Sequence, residues 1–242
     1  MERFDIGIDV IKKAGKYLRE KFSNSSKLME IRYDIKLKQD IESEKIIIEN
    51  IKEKFPDDTF FCEETGITGK QHNNLWIIDP LDGTLNFSRG LPHCCISIAF
   101  IGENEKFGII YDFFREEIFT GIEGEGAYLN GKKIVVSKID KIEDATVGIG
   151  FMVGEKEIEY GLKILQKIIK RVKRVRMMGS AGLDFSYLSS GRIDLLIHLN
   201  LKRWDYEAGK IILNEANGEL TEEEINGVKI FKGTNKKIEL NL

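Results

Sequence analysis

The chain has 242 residues, of which 42% are hydrophobic and 32% are charged, and its formal net charge is −3 at pH 7. This composition is typical of a globular protein with one large or two small domains, and the slightly negative charge argues against a direct nucleic-acid partner. No apolar run approaches the roughly 20 residues that cross a bilayer, and the cysteines form neither a disulfide framework nor a zinc-ligand pattern, so we expect no membrane partner and a cytoplasmic location.

The first part of the chain predicts helices packed on a largely antiparallel sheet. Apolar residues at helical spacing predict one helix over 4–22 and another from about Asp40 to Lys54. The polar, Lys-rich segment 23–38 between them predicts a loop or a loose hairpin. Strands are predicted near 59–62, 96–101, 107–112, 117–122 and 134–136.

From residue 146 the pattern changes to strands alternating with helices, which is typical of an α/β layer. A last helix opens at Trp204-Asp205, and short strands follow it. The chain therefore divides into 1–145 and 146–242, which we expect to form one compact unit. The alternating elements lie near 146–151, 156–171, 173–177, 181–189 and 193–199.

The stretch Leu75–Phe87, with the sequence LWIIDPLDGTLNF, joins a short apolar strand to a polar turn. The strand is predicted to end at Asp79, because Pro80 has no N–H to continue the ladder. Asp79 and Asp82 then lie at the C-terminal end of a strand, where α/β layers usually place ligands. Two clustered carboxylates repel each other unless a cation lies between them, which favours a hard divalent metal; a solvated turn is the alternative.

Other acidic residues lie at the ends of predicted elements. Singly, Asp40 and Asp205 suit helix N-caps, and Glu63-Glu64 suits a solvated turn. Jointly, carboxylates on separate elements are how hard-cation sites are built, and such a cluster neutralises phosphate oxygens and activates water for in-line attack. We expect two or three Mg²⁺ ions to be held by Asp79, Asp82, Asp205 and Glu63.

Small residues near these carboxylates are candidates for phosphate binding. Thr84 could position the attacking water, and Gly83 leaves the following backbone N–H groups accessible to a phosphate. Gly179-Ser180-Ala181 precedes a helix whose N–H groups could take polar groups of a substrate or a second anion.

Competing motifs fail on spacing. An aspartyl-phosphate enzyme of the haloacid dehalogenase type needs carboxylates two positions apart, and here they are three apart. The Walker A and G-x-S-x-G motifs are missing from the sequence. The three histidines, His72, His93 and His198, are scattered and form no metal-binding pair. Their spacing predicts structural or surface roles.

Three motifs resemble those of the inositol monophosphatase-like family, which are lithium-sensitive, Mg²⁺-dependent phosphatases. Glu63-Glu64 is similar to the first acidic motif of the family, 79–87 to its D-P-[IL]-D-G-T-x-N-F signature, and 204–209 to its W-D-x-x-A-G motif. Their order and approximate spacing also match. The resemblance implies a mixed α/β fold (α+β or α/β), a layered αβαβα sandwich of the sugar phosphatase type, and a homodimer.

The resemblance also implies a role for each matching residue. The first metal is held by Glu63, Asp79 and the Leu81 carbonyl, the second by Asp79, Asp82 and Asp205, and a third, weaker one by Glu63 and water. Glu63 and Thr84 orient the attacking water, supported by Asp40 and Glu64. Mn²⁺ is an expected substitute for Mg²⁺, and Li⁺ an expected inhibitor. The expected substrate-binding residues are Asp82, Gly83, Thr84, Arg176, Gly179, Ser180, Ala181, His198, Arg203 and Asp205.

The substrate is a small-molecule phosphate ester, for which several alternatives stay open. His198 stands where the animal inositol enzymes carry a Glu that grips inositol hydroxyls. Arg176 and Arg203 could pair with a second phosphate or form surface salt bridges. We expect hydrolysis of inositol 1-phosphate or a related sugar or polyol phosphate. Alternatives are fructose-1,6-bisphosphatase, alone or as a dual activity, 3′-phosphoadenosine 5′-phosphate phosphatase, and a non-catalytic regulatory role, since some bacterial relatives associate with the transcription machinery.

The segment 23–38 carries one further expectation. Its polar, Lys-rich character suggests that it becomes ordered over the site when Mg²⁺ binds, with Lys36 or Lys38 near the third metal.

Overall fold

The structure, a computed structural model, describes residues 2–31, 34–69, 73–151 and 154–238. Amphipathic sequences with buried apolar faces form the longer helices, as the sequence predicts. In the described ranges the helices are α1 (Glu2–Lys21), α2 (Lys38–Lys54), α3 (Thr84–Ser88), α4 (Glu155–Ile168), α5 (Ala181–Ser189) and α6 (Arg203–Glu215).

The strands between the first helices form a hairpin and a large sheet. The hairpin joins β1 (Lys27–Ile31) to β2 (Asp34–Leu37). The large sheet contains β3 (Thr59–Cys62), β4 (Gly66–Thr68), β5 (Leu75–Asp82), β6 (Cys95–Ile101), β7 (Lys106–Asp112), β8 (Glu117–Ile122), β9 (Gly126–Leu129) and β10 (Lys132–Ile134). Its strand order is β10-β9-β8-β7-β6-β5-β3-β4. Its strand pairs are antiparallel except β3 with β5, which run parallel.

The second sheet has five strands in the order β12-β11-β13-β15-β14. β11 pairs in parallel with β12 and β13, whereas β15 is antiparallel to β13 and β14. These strands are β11 (Thr146–Phe151), β12 (Arg174–Arg176), β13 (Leu195–Leu199), β14 (Glu219–Ile225) and β15 (Val228–Thr234).

Alternate residues of β6 point to opposite faces of the large sheet and separate two cores. Ile96 and Ile98 belong to the first core, with buried residues of α1 and α2. Cys95 and Ala99 belong to the second core, with α5, α6 and the inner face of the five-stranded sheet. A third core contains Ile164 of α4 and the outer face of that sheet. The layers therefore follow the order α, β, α, β, α.

Helix α6 lies directly on the large sheet because two strand positions are glycine. A Cβ atom at Gly108 would overlap the carbonyl oxygen of Ala208 and lie 2.9 Å from its Cα. A Cβ atom at Gly121 would lie 2.8 Å from the Cα of Ile212. These contacts are between backbones, so a larger residue has no flexible neighbour to displace.

Two predicted strand boundaries are wrong. The prediction that Pro80 ends its strand fails, because β5 continues to Asp82. Its register runs from Asp79 opposite Ser97 to Asp82 opposite Cys95, so β5 carries one extra residue. This extra residue is a β-bulge, where a proline without an N–H is tolerated. In addition, β10 ends at Ile134, where the sequence predicted a strand over 134–136.

The remaining predicted elements of 1–145 lie close to the observed ones. The segment 23–38 contains the β1–β2 hairpin, although residues 32 and 33 lie outside the described ranges. The division of the chain at residue 145 stays a prediction. Among the described helices, none is both long and apolar enough to cross a membrane.

Candidate active site where the parallel pairing of two strands ends

The parallel pairing of β3 and β5 brings two predicted metal ligands together. Cys62 pairs with Ile78, so Glu63, which follows the end of β3, lies beside Asp79 of β5. The backbone N–H of Glu63 donates to the Ile78 carbonyl over 3.2 Å. Asp79 is buried, and its Oδ1 accepts the Leu81 N–H at 3.1 Å. The β5 bulge therefore turns the chain back toward the Asp79 carboxylate.

One face of α2 supports this turn. Asp40 Oδ2 accepts the Leu37 N–H at 2.6 Å, and its Oδ1 lies 3.3 Å from Thr84 Oγ1. The same hydroxyl lies 2.9 Å from the Leu81 carbonyl oxygen. Asp40 is thus the third residue of α2 and accepts the N–H of the N-cap residue, so it is not itself the N-cap that the sequence suggested.

Two further residues of α2 were missed in the sequence. Ser43 Oγ donates to the Pro80 carbonyl over 2.8 Å, and Glu44 Oε2 accepts the Glu64 N–H at 2.9 Å. Both side chains are buried. Together with Asp40 and Ile47 they lie at positions 40, 43, 44 and 47, which is one helical face. That spacing is a signal that could have found them, because it places polar residues on the face that the isoleucines mark as buried.

Asp82 is held by the N-terminus of α5. Its Oδ2 accepts the Ser180 hydroxyl at 2.5 Å and the Gly182 N–H at 2.7 Å, and its Oδ1 accepts the Ala181 N–H at 3.2 Å. Cys95 Sγ lies 3.4 Å from Oδ2. The predicted pocket residues Ser180 and Ala181 are therefore brought directly to a predicted metal ligand.

The turn after Asp82 is fixed by a glycine and an asparagine. Gly83 has φ 90°, and a Cβ atom there would lie 2.9 Å from the His93 carbonyl oxygen. Asn86 Nδ2 donates to the carbonyls of His93 and Met178 at 2.8 Å each, and lies 3.3 Å from that of Gly179. No role was predicted for Asn86. Its place in the predicted turn is the signal that could have indicated one. Asn86 ties the candidate phosphate-binding turn to the candidate leaving-group loop.

Asp205 enters from the other half of the chain. It is the third residue of α6, and its Oδ2 accepts the Lys202 N–H at 2.6 Å. This is the arrangement that Asp40 has in α2. The pKa of Asp205 is raised to about 7 by burial, with repulsion from Asp82 a further cause. The two carboxylates are therefore within electrostatic range of each other.

The outer predicted residues have other contacts. Glu64 forms an ion pair with Lys36 of β2. Arg203 pairs with Glu207 at 2.9 Å, and Arg176 is exposed and donates to the Val175 carbonyl. His198 is buried, with Nε2 2.9 Å from Asp184 Oδ2. Among the described contacts, none joins Arg176, Arg203 or His198 to the carboxylates of Asp79 and Asp82, and His72 lies outside the described residues.

Repulsion between carboxylates adds to burial in raising the pKa of Asp79 and of Glu63. Burial is the first cause for Asp79, followed by repulsion from Glu63, Asp82 and Asp205, and its pKa lies well above the ordinary value. Glu63 has the most exposed side chain of the four carboxylates. Its pKa is raised by desolvation in the site and by repulsion from Asp205 and Asp40. Burial also raises the pKa of Asp82, against its hydrogen bonds. A divalent cation would relieve this repulsion, since it favours the charged form of every carboxylate nearby.

The proposed metal ligands supply the oxygen atoms that Mg²⁺ prefers. Their side chains, however, do not converge on one point. Over residues 2–31, 34–69, 73–151 and 154–238, no three His, Cys, Asp or Glu side chains converge as a ready metal site. Asp82 and Asp205 instead accept backbone N–H groups. Hard oxygen ligands on separate elements are nevertheless what Mg²⁺ requires.

Three comparisons with known proteins were informative. The model of the inositol monophosphatase family matches residues 2–234. The chain is 35% identical over 226 residues to the fructose-1,6-bisphosphatase/inositol-1-monophosphatase of Thermotoga maritima, covering 92% of this chain and 85% of that protein. It is 37% identical over 225 residues to the Nus factor SuhB of Vibrio cholerae, covering 90% and 84%. A solved inositol monophosphatase (IMPase) from T. maritima matches with a TM-score of 0.86 at 33% identity, covering 98% and 93%.

These similarities place the chain in a class of layered, mixed α/β proteins with the IMPase fold, which confirms the predicted fold class. Within that class, the chain belongs to the inositol monophosphatase family, as its motifs indicated.

The stability of the metal-free protein is expected to fall as the pH rises from about 4 to 7. The pKa of Asp40 and of Asp205 is raised to about 7 from an ordinary 3.8, mainly by burial. In that window the folded chain holds more protons than the unfolded chain, so raising the pH favours unfolding, by a total on the order of a few kcal/mol. This effect is complete about one pH unit above the raised pKa values, near pH 8. Urea unfolding in EDTA at pH 5 and pH 8 measures it.

Added Mg²⁺ should raise the free energy of unfolding more at pH 8 than at pH 5, because it binds the charged carboxylates. The Asp40→Asn variant should show a shallower pH dependence. A pH-independent free energy of unfolding in EDTA would contradict the prediction.

Mg²⁺ with inorganic phosphate is expected to slow proteolysis within 23–38 severalfold. Lys36 pairs with Glu64, next to Glu63. This contact can link the hairpin to a site that has bound Mg²⁺ and phosphate. Lys36→Gln should lose the protection. Lys27→Gln is the matched control, because Lys27 lies in the same hairpin and pairs with the exposed Glu30. Equal cleavage with and without Mg²⁺ and phosphate would count against the predicted ordering.

Proposed function

We propose that this protein is a Mg²⁺-dependent phosphomonoester hydrolase that acts on inositol 1-phosphate or a related small sugar or polyol phosphate. One observation carries the proposal: three separate segments bring together four carboxylates, Asp79 and Asp82 of β5, Glu63 after β3 and Asp205 of α6, and repulsion from the other three adds to burial in raising the pKa of Asp79. Clustered carboxylates that repel one another favour the binding of a cation. Membership of the inositol monophosphatase family supports the phosphatase activity.

The proposed metal ligands are the carboxylates of Glu63, Asp79, Asp82 and Asp205 with the carbonyl of Leu81. Bound Mg²⁺ would supply the positive charge that neutralises a phosphate and activates water for in-line attack. The chain's own residues do the positioning.

Thr84 is the proposed water-orienting residue. Its hydroxyl lies 2.9 Å from the Leu81 carbonyl and 3.3 Å from Asp40 Oδ1, so two acceptors fix its position. A single hydroxyl proton can satisfy one acceptor at a time, which leaves the oxygen lone pairs to accept from a water. Glu63 is proposed to orient the same water, with Glu64 and Asp40 in support.

The phosphate is proposed to lie at the turn after Asp82. Gly83 presents the backbone N–H groups of Gly83 and Thr84, since its positive φ turns the chain there. Gly179, Ser180 and Ala181 would line the leaving-group pocket, and Asn86 holds that loop against the turn.

The substrate is chosen by chemistry outside the carboxylate cluster. The T. maritima relative is named a fructose-1,6-bisphosphatase/inositol-1-monophosphatase. We therefore propose fructose 1,6-bisphosphate as the first alternative substrate, alone or as a dual activity, with the 3′-phosphonucleotide a less favoured one. Mg²⁺ dependence, replacement by Mn²⁺, inhibition by Li⁺, a homodimer and a cytoplasmic location belong to the same proposal.

Phosphate release measured side by side from inositol 1-phosphate, fructose 1,6-bisphosphate and 3′-phosphoadenosine 5′-phosphate tests the proposal. We expect Mg²⁺-dependent release from at least the first, and none in EDTA. Release that continues unchanged in EDTA, or no release from any of the three esters, would contradict it.

A second candidate function is a regulatory binding role in transcription. It is favoured by the Vibrio relative, which is named a Nus factor. Because of that name, the prediction that this protein has no nucleic-acid partner is not supported. Recovery of RNA polymerase in a pull-down that survives Asp82→Asn would favour this role, because the substitution should remove catalysis.

A further inference from the structure

A group of buried polar side chains lies behind the candidate metal ligands. Asp184 of α5 is fully buried and His198 of β13 is 5% exposed, and they are joined by Oδ2 and Nε2 over 2.9 Å. Two glycines of the neighbouring strand β11 leave room for these side chains. A Cβ atom at Gly150 would overlap the His198 ring, and one at Gly148 would lie 3.3 Å from Asp184 Oδ1.

Two atoms near this pair lack a hydrogen-bond partner within the described part of the chain: Asp184 Oδ1 and His93 Nε2. Both atoms are buried. The His93 ring lies edge to face with Tyr187 at 6.0 Å, and Tyr187 is one helical turn after Asp184. Burial lowers the pKa of His93, and Asp184 is the nearby carboxylate that most opposes this. The two side chains therefore lie within electrostatic range of each other.

Buried polar atoms in proteins are nearly always hydrogen-bonded, either to protein or to ordered water. A buried nitrogen and a buried carboxylate oxygen, both without a partner in the described residues and within electrostatic range of each other, could supply the two polar contacts that an enclosed water needs. An imidazole N–H would donate to this water, which would in turn donate to Asp184 Oδ1.

Each member of the group is attached to a different part of the candidate site. The His93 carbonyl accepts Asn86 Nδ2, which holds the turn after Asp82. Asp184 lies in the first turn of α5, whose Gly182 N–H donates to Asp82. His198 is followed, at the end of β13, by the segment whose Lys202 N–H donates to Asp205.

We propose that His93, one bridging water, Asp184 and His198 form a continuous buried hydrogen-bonded chain that sets the separation of Asp82 from Asp205. Asp184 and His198 are then positioning residues for the metal site, and the proposal rests on the proposed Mg²⁺-dependent function. His198 serves this role from inside the protein and does not contact the leaving group.

Asp184→Asn tests the chain with little change of shape. The amide cannot accept from both the water and His198 as the carboxylate does. Replacing a residue that orients a metal ligand typically lowers metal affinity by about 10- to 100-fold. The dissociation constant of Asp184→Asn for Mn²⁺ should therefore rise by that factor. Isothermal titration calorimetry without substrate measures it.

Asp58→Asn is the matched control. Asp58 is also a buried carboxylate paired with a cation, since Arg3 Nε donates to it over 2.8 Å. Its side-chain partners among the described residues are Arg3 and Trp76, neither of which belongs to the site. Its Mn²⁺ affinity should stay within about twofold of wild type, the scatter typical of an uncoupled distant site. An unchanged Mn²⁺ affinity in Asp184→Asn, or an equal loss in both variants, would overturn the proposal.

His93→Gln provides a second test if Asp184→Asn fails to fold, because His93 is only half-buried. It should also weaken Mn²⁺ binding, and unchanged binding would overturn the proposal. Wild-type protein that binds no Mn²⁺ would contradict both the proposed function and this inference. Wild-type binding with unaltered variants would contradict the inference alone.

Discussion

Asp82→Asn is expected to reduce Mg²⁺-dependent phosphate release by about a thousandfold, since metal stabilisation of transition-state charge is worth several kcal/mol. The substitution removes the charge that attracts a cation. It also directs an amide NH₂ group at donors, because Asp82 accepts from Ser180, Ala181 and Gly182. Phosphate release per folded molecule, measured over a range of Mg²⁺ concentrations, provides the result.

Asp194→Asn separates this effect from loss of stability. Asp194 accepts the Ser137 hydroxyl at 2.5 Å and the Thr146 N–H at 2.7 Å, the same donor types and distances that Asp82 has at its Oδ2. Both variants should therefore be destabilised, and only Asp82→Asn should lose activity. Activity within about tenfold of wild type in Asp82→Asn would refute its assignment as a metal ligand.

Gly108→Ala is expected to lower the free energy of unfolding by about 3 kcal/mol, the upper part of the usual range for overpacking. The new methyl group would overlap the Ala208 carbonyl, and neither backbone can rotate away. For a chain of this length the corresponding fall in Tm is about 6–12 °C. Thermal unfolding followed by circular dichroism measures it. Since α6 carries Asp205, we also expect weaker Mg²⁺ binding in this variant.

Gly7→Ala is the contrasting control. Its methyl group would lie 2.7 Å from Ile109 Cδ1, the tip of a side chain that can move. Gly7 is in α1, where alanine is favoured over glycine by about 1 kcal/mol, so the two effects offset each other. A Tm change as large as that of Gly108→Ala would show that backbone contact with α6 is not the cause.

The polar support of the site was only partly predictable. Asp40 was found from its place at a helix start, whereas Ser43 and Glu44 were overlooked although they share its helical face. Their partners are the Pro80 carbonyl and the Glu64 N–H, and these groups are free to bond because the chain bulges and turns there. Local spacing could have indicated that the face is buried, but the identity of its partners depends on how α2 packs across β5.

The Pro80 prediction was wrong for a related reason. Proline removes one ladder N–H, and from sequence alone this predicts a strand end. The antiparallel partner β6 continues past that point, and its pairing of Cys95 with Asp82 is retained by one extra residue in β5. Whether a proline ends a strand or lies in a bulge is decided by the neighbouring strand.

By itself, the sequence determined most of the succession of helices and strands and the chemical types in the site, through local periodicity and short motifs, and it determined the family with its layered fold through the resemblance of three motifs. Only the tertiary structure decided which groups meet: Glu63 beside Asp79, Asp82 on the α5 N-terminus, and His198 against Asp184. Such contacts join residues from 14 to about 100 positions apart. Their geometry is set by strand order and by the close approach of backbones at glycines, which no local pattern encodes.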